Sequence, residues 1–124
     1  MSATRSTWGR ALFVLASLLV AFNLVLQFID WITSFIGYSR GLFESNVPTL
    51  FLIRVFGNRY LAVSIEKIGY IALFLAFYYY IPKVIDAKPS YARNTALSLL
   101  YVVMFYMAFY YAGHMWQNLV ALGF

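Results

Sequence analysis

Apolar residues run almost unbroken from Ala11 to Trp31, from Tyr60 to Ile81 and from about Ala96 to Ala112, with short polar stretches between them. Each run approaches or exceeds the ~20 residues that a helix needs to cross a bilayer. The pattern predicts three membrane-spanning helices, over residues 10–37, 60–81 and 94–113, after a polar lead at residues 1–9. The first run follows Arg5 and Arg10, as a signal peptide would, but it is longer than the roughly 7–15 residues of a signal core, so it is expected to be a retained span. Residues 38–46 form a loop. The second span is expected to stop at Pro82, and residues 83–93, KVIDAKPSYAR, to form a polar turn. From Asn94 to the end the chain would reach about 46 Å as one helix. The third span must therefore project from the membrane or bend at Gly113.

Residues 47–57, VPTLFLIRVFG, decide the number of crossings. Pro48 lies where a helix start tolerates its missing N–H, and Gly57-Asn58 is a helix-stop pair. Eleven helical residues reach about 17 Å, against a hydrocarbon core of roughly 30 Å. A re-entrant or interfacial half-helix is expected. Charge agrees: with three crossings Arg5, Arg10, Lys83, Lys88 and Arg93 share one side, and Arg40, Arg54 and Arg59 the other. Four crossings would leave no bias. The positive-inside rule then places the N-terminus in the cytoplasm and the C-terminus outside a cell membrane. The expected fold is an all-α, multi-pass integral membrane protein forming a single domain over residues 1–124. Three transmembrane helices plus the half-helix is the preferred form, and a four-helix membrane bundle the alternative.

Composition supports lipid as the solvent. Hydrophobic residues make up 64% of the chain and charged residues 10%, against roughly 45–50% and 25% in soluble domains. The +5 net charge reads as topology signal and attraction to anionic lipid, because the basic residues are scattered singly, and no nucleic-acid partner is expected. The absence of cysteine excludes disulfides, thiolate metal sites and cysteine nucleophiles. No HExxH, GxSxG, P-loop or GxGxxG motif occurs, and one histidine with four acidic residues makes metal or nucleophile catalysis improbable. No enzyme activity and no cofactor are expected.

Candidate chemistry concentrates between Asp30 and Lys67, which holds three of the four acidic residues. Asn23, Gln27, Asp30, Ser34 and Gly37 share one helical face, with Thr33 at its edge. Such a stripe avoids lipid and faces protein or water. Asn, Gln and Ser read as interhelical hydrogen-bonding groups and Gly37 as a site of close helix approach. Asp30, a carboxylate within a span, is a functional candidate by default. Glu66 and Lys67 are adjacent and point about 100° apart, so each is expected to find its own partner: Asp30 for Lys67, and Arg54 for Glu44 or Glu66. Structural ion pairs, or a Lys67 that snorkels to the headgroups, are the plainer readings. Glu44, Asn46 and Pro48 fall on one side of the 38–48 loop, where Glu44 reads most simply as a charge near a helix N-terminus. His114 shares a face with Met107 and Tyr111. Together with Met104 and Met115 it is a weak copper(I) candidate, and a place at the outer interface beside Trp116 and Gln117 is preferred.

The series Asp30-x-x-Thr33, Gly37, Glu44-x-Asn46-x-Pro48, Gly57 and Lys67 resembles a family of small uncharacterised integral membrane proteins common in archaea. That family shows D-x-x-T, a glycine, E-x-N-P, a glycine and a lysine in the next span. The match covers about residues 27–67. Val47 separates Asn46 from Pro48 where the family joins Asn to Pro directly, so the half-helix is expected to start one residue differently. The resemblance implies architecture and an archaeal source; it carries no reaction.

The preferred functional expectation is a non-catalytic accessory or structural subunit of a larger membrane complex, with other membrane-protein subunits as partners. Respiratory oxidases and membrane monooxygenases, including the archaeal ammonia-oxidising type, carry small helical subunits of this build. The alternative is a small oligomeric transporter or channel-like protein using Asp30, Glu66 and Lys67. A membrane enzyme using the outer cluster is a third, weaker reading.

Overall fold

The computed structural model describes residues 6–124, so Arg5 and most of the polar lead lie outside the described residues. Four helices follow in order: α1 (Thr7–Ser39), α2 (Val47–Phe56), α3 (Arg59–Ile85) and α4 (Tyr91–Ala121). Among the described residues, α1, α3 and α4 are long and apolar enough to cross a membrane, whereas α2 is not. The protein is an all-α, multi-pass membrane protein of three spans and one short apolar helix.

The helices outrun their sequence-based limits at nearly every end, and local chemistry shows why. Ser6 caps α1 by accepting from the Gly9 N–H at 3.1 Å, and Ser90 caps α4 by accepting from the Arg93 N–H at 3.1 Å. Pro82 does not stop α3. It sits in the last turn, where its missing N–H removes a single ladder bond. The end of that turn is held from outside, because Arg93 donates to the Ile85 carbonyl at 2.9 Å. Helix α4 passes through Gly113 without bending away and ends at Ala121. Gly57 closes α2 in the left-handed region, φ 71°, a conformation that glycine adopts without the Cβ penalty.

Helix α1 is the spine, packed against both α3 and α4. It runs antiparallel to α3: Phe13 meets Tyr78, the Trp31 indole donates to Ser64 Oγ at 3.1 Å, and Arg59 donates to the Tyr38 carbonyl at 3.0 Å. It runs parallel to α4, with Tyr101 donating to the Leu12 carbonyl and Arg40 to that of Leu122 at 3.1 Å. One end of the bundle therefore carries the start of α1 and the turn at 86–90. The other, the loop side, carries residues 40–58 and the C-terminus.

Helix α2 lies against α3, and its direction matters. Thr49 in its first turn hydrogen-bonds Glu66, seven residues inside α3, which is about 10 Å below the start of that helix. Its C-terminal end joins Arg59 at the surface. Residues 40–46 thus descend into the bundle and α2 climbs back out, which makes the segment re-entrant. Its deep end is the N-terminus, so the positive end of its dipole points at the buried acids.

Two kinds of core result. Away from the loop side, Ala16, Leu19, Val20, Phe74, Ile81 and Met104 form an apolar cluster. Toward it, the same helices meet through polar side chains.

Candidate functional site, a buried charge cluster

The site is built from α1 upward. Asn23, Gln27, Asp30, Thr33, Ser34 and Gly37 are all buried, because the 4-3-4-3 spacing turns them toward α3 and α4 and leaves Phe22, Phe28 and Ile32 to the lipid. Gly37 brings no second helix close. A Cβ there would stand 3.7 Å from the Leu42 side chain, an ordinary contact, so the small residue is not required for helix approach.

Lys67 is the centre and is fully buried. Its ammonium pairs with Asp30 Oδ2 and donates to Gln27 Oε1 at 2.9 Å. It also reaches Glu66 Oε1 at 3.4 Å and lies 4.2 Å from the Tyr111 ring centroid, within cation–π range. Glu66 and Lys67 do meet, contrary to the expectation from their adjacent positions. The 100° between them describes where their Cβ atoms leave the helix. It does not fix where the tip of a four-carbon stem ends.

Glu66 is saturated with donors: Asn46 Nδ2 at 3.2 Å, Tyr111 Oη at 2.7 Å, Thr49 Oγ1 and Lys67. Asn46 in turn accepts from Tyr110 at 2.7 Å, which pins the deep end of the re-entrant segment to α4. Asp30 Oδ1 accepts from Asn118 Nδ2 at 2.8 Å, and the same amide donates to Thr33 Oγ1 at 3.0 Å. Glu44 accepts from Tyr38 and from the backbone N–H groups of Ser45 at 3.1 Å and Asn46 at 2.8 Å. Burial alone would raise the Glu44 carboxyl; its contacts with His114, Tyr38 and the Asn46 N–H outweigh this and hold it below the usual carboxylate range.

His114 is not at the outer interface. It is 7% exposed, and its Nε2 points between Asp30 Oδ1 at 3.6 Å and Glu44 Oε1 at 3.5 Å without a hydrogen-bond partner. Trp116, two residues on, is the one that faces outward. Met104 and Met107 belong to the apolar cluster, while the His114 Nε2 faces carboxylates. Among the described residues no group of three or more His, Cys, Asp or Glu side chains is placed to hold a metal ion.

Arg54 joins neither Glu44 nor Glu66. It is exposed in the last turn of α2, and since the N-terminus of α2 is its deep end, Arg54 is carried to the surface. Sequence reasoning also missed five partners: Tyr38, Thr49, Tyr110, Tyr111 as a donor, and Asn118. For Asn118 a signal existed, because it follows His114 by four residues on the same face of α4. Tyr38 and Thr49 had none, since their role depends on how 40–46 folds back.

Two further features complete the geometry. A cavity of about 240 Å³ opens at the loop side, lined by Thr33, Ser34, Tyr38, Glu44, Gln117 and Asn118 among others. In the other direction the polar stripe ends at Asn23, which donates to the Met104 carbonyl at 3.1 Å, and the apolar cluster closes the bundle beneath it. No protein-family model, no curated protein and no solved structure matches the chain.

Proposed function

We propose that the chain is a non-catalytic packing subunit of a larger membrane complex, of the kind found in respiratory oxidases and membrane monooxygenases. It lies in a cell membrane with its N-terminus in the cytoplasm. The observation that carries this reading is the internal pairing of the charged cluster together with its dead end. Lys67, Asp30 and Glu66 are answered by side chains of the same chain, and the polar stripe stops at Asn23 above an apolar core. Such a cluster fixes helices in one register. It presents no nucleophile–base pair to a substrate and no polar path across a membrane.

Partners have room to pack. Only 28–33% of the most apolar window of each long helix is buried within the chain, and a groove of about 510 Å³ between α3 and α4 is walled by Val47, Tyr70, Val103, Tyr106, Tyr110 and Tyr111. Lipid supplies no hydrophobic drive for helix association, so aromatic packing of this kind has to supply contact. The test is purification from the native membrane in mild detergent. Stoichiometric recovery with cytochrome- or metal-bearing subunits is expected; a lone homo-oligomer would sink the reading.

A second reading, a small oligomeric transporter, is favoured by one observation: a re-entrant half-helix aims its N-terminus at buried carboxylates beside the loop-side cavity of about 240 Å³, an arrangement that suits ion sites. It requires a second copy to supply a path past Asn23. Asp30→Asn separates the two readings. The transporter loses flux in liposomes, whereas the packing subunit loses assembly.

A further inference from the structure

The cluster is short of positive charge. Asp30, Glu44 and Glu66 bring three carboxylates and Lys67 one ammonium, while the N-terminus of α2 adds the equivalent of about half a charge. Asp30, Glu66 and Lys67 lie about 10–14 Å below the loop-side ends of their helices, where an unanswered charge is expensive. The remaining cations of the loop side are committed elsewhere or directed outward. Arg40 holds the Leu122 carbonyl, Arg59 holds that of Tyr38, and Arg54 is exposed. Among the described residues, His114 is the group placed to make up the deficit.

Its surroundings fit that role from every side. α1 presents Asp30, and the descending segment presents Glu44, each within 3.6 Å of the unpartnered Nε2. α3 contributes Lys67 and Glu66 behind Asp30, and α4 itself places Tyr110 and Tyr111 against the ring. Tyr38 stands on the far side of Glu44. Thr33, Glu44 and Asn118, which surround the histidine's partners, also line the loop-side cavity, so a proton can reach the imidazole from water without crossing the bundle.

We propose that His114 is a proton-operated latch: the imidazolium ties Glu44 of the re-entrant segment to Asp30 of α1, and loss of its proton releases residues 43–45, between the anchors at Leu42 and Asn46, and widens the cavity. The element that moves follows from what each acid keeps. Without a charged His114, Asp30 retains Lys67 and Asn118. Glu44 retains two N–H groups of its own segment, which anchor nothing, and the Tyr38 hydroxyl. The latch is closed while His114 is protonated and Glu44 ionised, and it opens as pH rises through the histidine titration.

The sequence makes the test clean, since it has one histidine and no cysteine. The ¹³Cε1 signal of the sole histidine, followed by NMR in nanodiscs, reports its protonation directly. In parallel, Ser34→Cys places a thiol on the buried wall of the cavity and Ser39→Cys an exposed control, both treated with a charged, water-soluble maleimide. The ratio of their labelling rates is expected to rise at least tenfold, with a midpoint matching the NMR titration. Glu44→Gln removes the anion on which the latch closes and should label fast at every pH. His114→Gln should abolish the pH step. A ratio that stays flat through the histidine titration overturns the latch, as does an undiminished pH step in Glu44→Gln.

Discussion

Below Asn23 the three long helices meet through Leu19, Val20, Phe74, Ile81, Leu97 and Met104; above it they meet through Gln27, Asp30, Glu66, Lys67, Tyr111 and His114. The same backbones, a few turns apart, are joined by different physics. The apolar half is held by dispersion between shapes that tolerate exchange. The polar half is held by donors and acceptors whose partners are individually specified and costly to lose. Hydrocarbon sharpens the difference, because lipid competes with a leucine contact on nearly equal terms but offers nothing to a carboxylate. The apolar half therefore supplies adhesion and the polar half supplies register, including the depth at which the re-entrant segment stops.

Removing the central cation should break that division most forcefully. Lys67→Met keeps the stem volume and deletes the charge that Asp30 and Glu66 share. Breaking a buried pair from one side costs about 3–5 kcal/mol, so the variant should unfold far more readily in a detergent-titration assay followed by circular dichroism. A loss below about 1 kcal/mol would mean that the two acids accept protons at little cost, and that register is set by the apolar half.

The second break is by acid and concerns the re-entrant segment alone. Glu44 is held below its ordinary carboxylate range. Its contribution is complete above the unfolded value, near pH 4, for as long as His114 keeps its proton, and is lost as pH falls through the folded value. Backbone amide exchange at Ser45 and Asn46, corrected for the intrinsic rate, should accelerate below about pH 4 while amides in α1 hold. Glu44→Gln should show the faster exchange already at neutral pH. Equal acceleration in α1 would show that acid opens the whole bundle.

How far this was legible from the sequence differs between the two halves. The spans, the half-helix too short to cross and the buried stripe on α1 followed from run length and a 3.6-residue period, since in a membrane nearly every backbone group must bond within its own helix. The ends of the helices were less legible, because Ser6, Ser90 and Arg93 act through caps that override Pro82 and Asn94 as boundaries. Within the cluster, a face could be assigned to Asp30 or His114 but not an inward tilt to 40–46. That tilt turns Arg54 outward, seats Thr49 on Glu66 and brings Tyr38 to Glu44. It depends on chain reversal in three dimensions, which has no period to read.

Two milder substitutions sharpen where the boundary lies. Phe74→Leu, in the fully buried apolar half, swaps a flat ring for a smaller branched chain and gives up the edge contact with Phe77, so it should cost about 1–2 kcal/mol in the same unfolding assay. Asn23→Leu should cost less still. The amide gives up one interhelical bond to the Met104 carbonyl, and such bonds average about 0.6 kcal/mol within membranes. The substitution also removes Oδ1, a buried acceptor without a partner among the described residues, which carries a penalty of about 1–3 kcal/mol. The two effects oppose each other, so the expected outcome is neutrality or a slight gain in stability, because leucine extends the apolar cluster upward by one turn. A loss above about 1 kcal/mol would place Asn23 with the polar half, and the apolar half would then depend on a hydrogen bond for its own helix spacing.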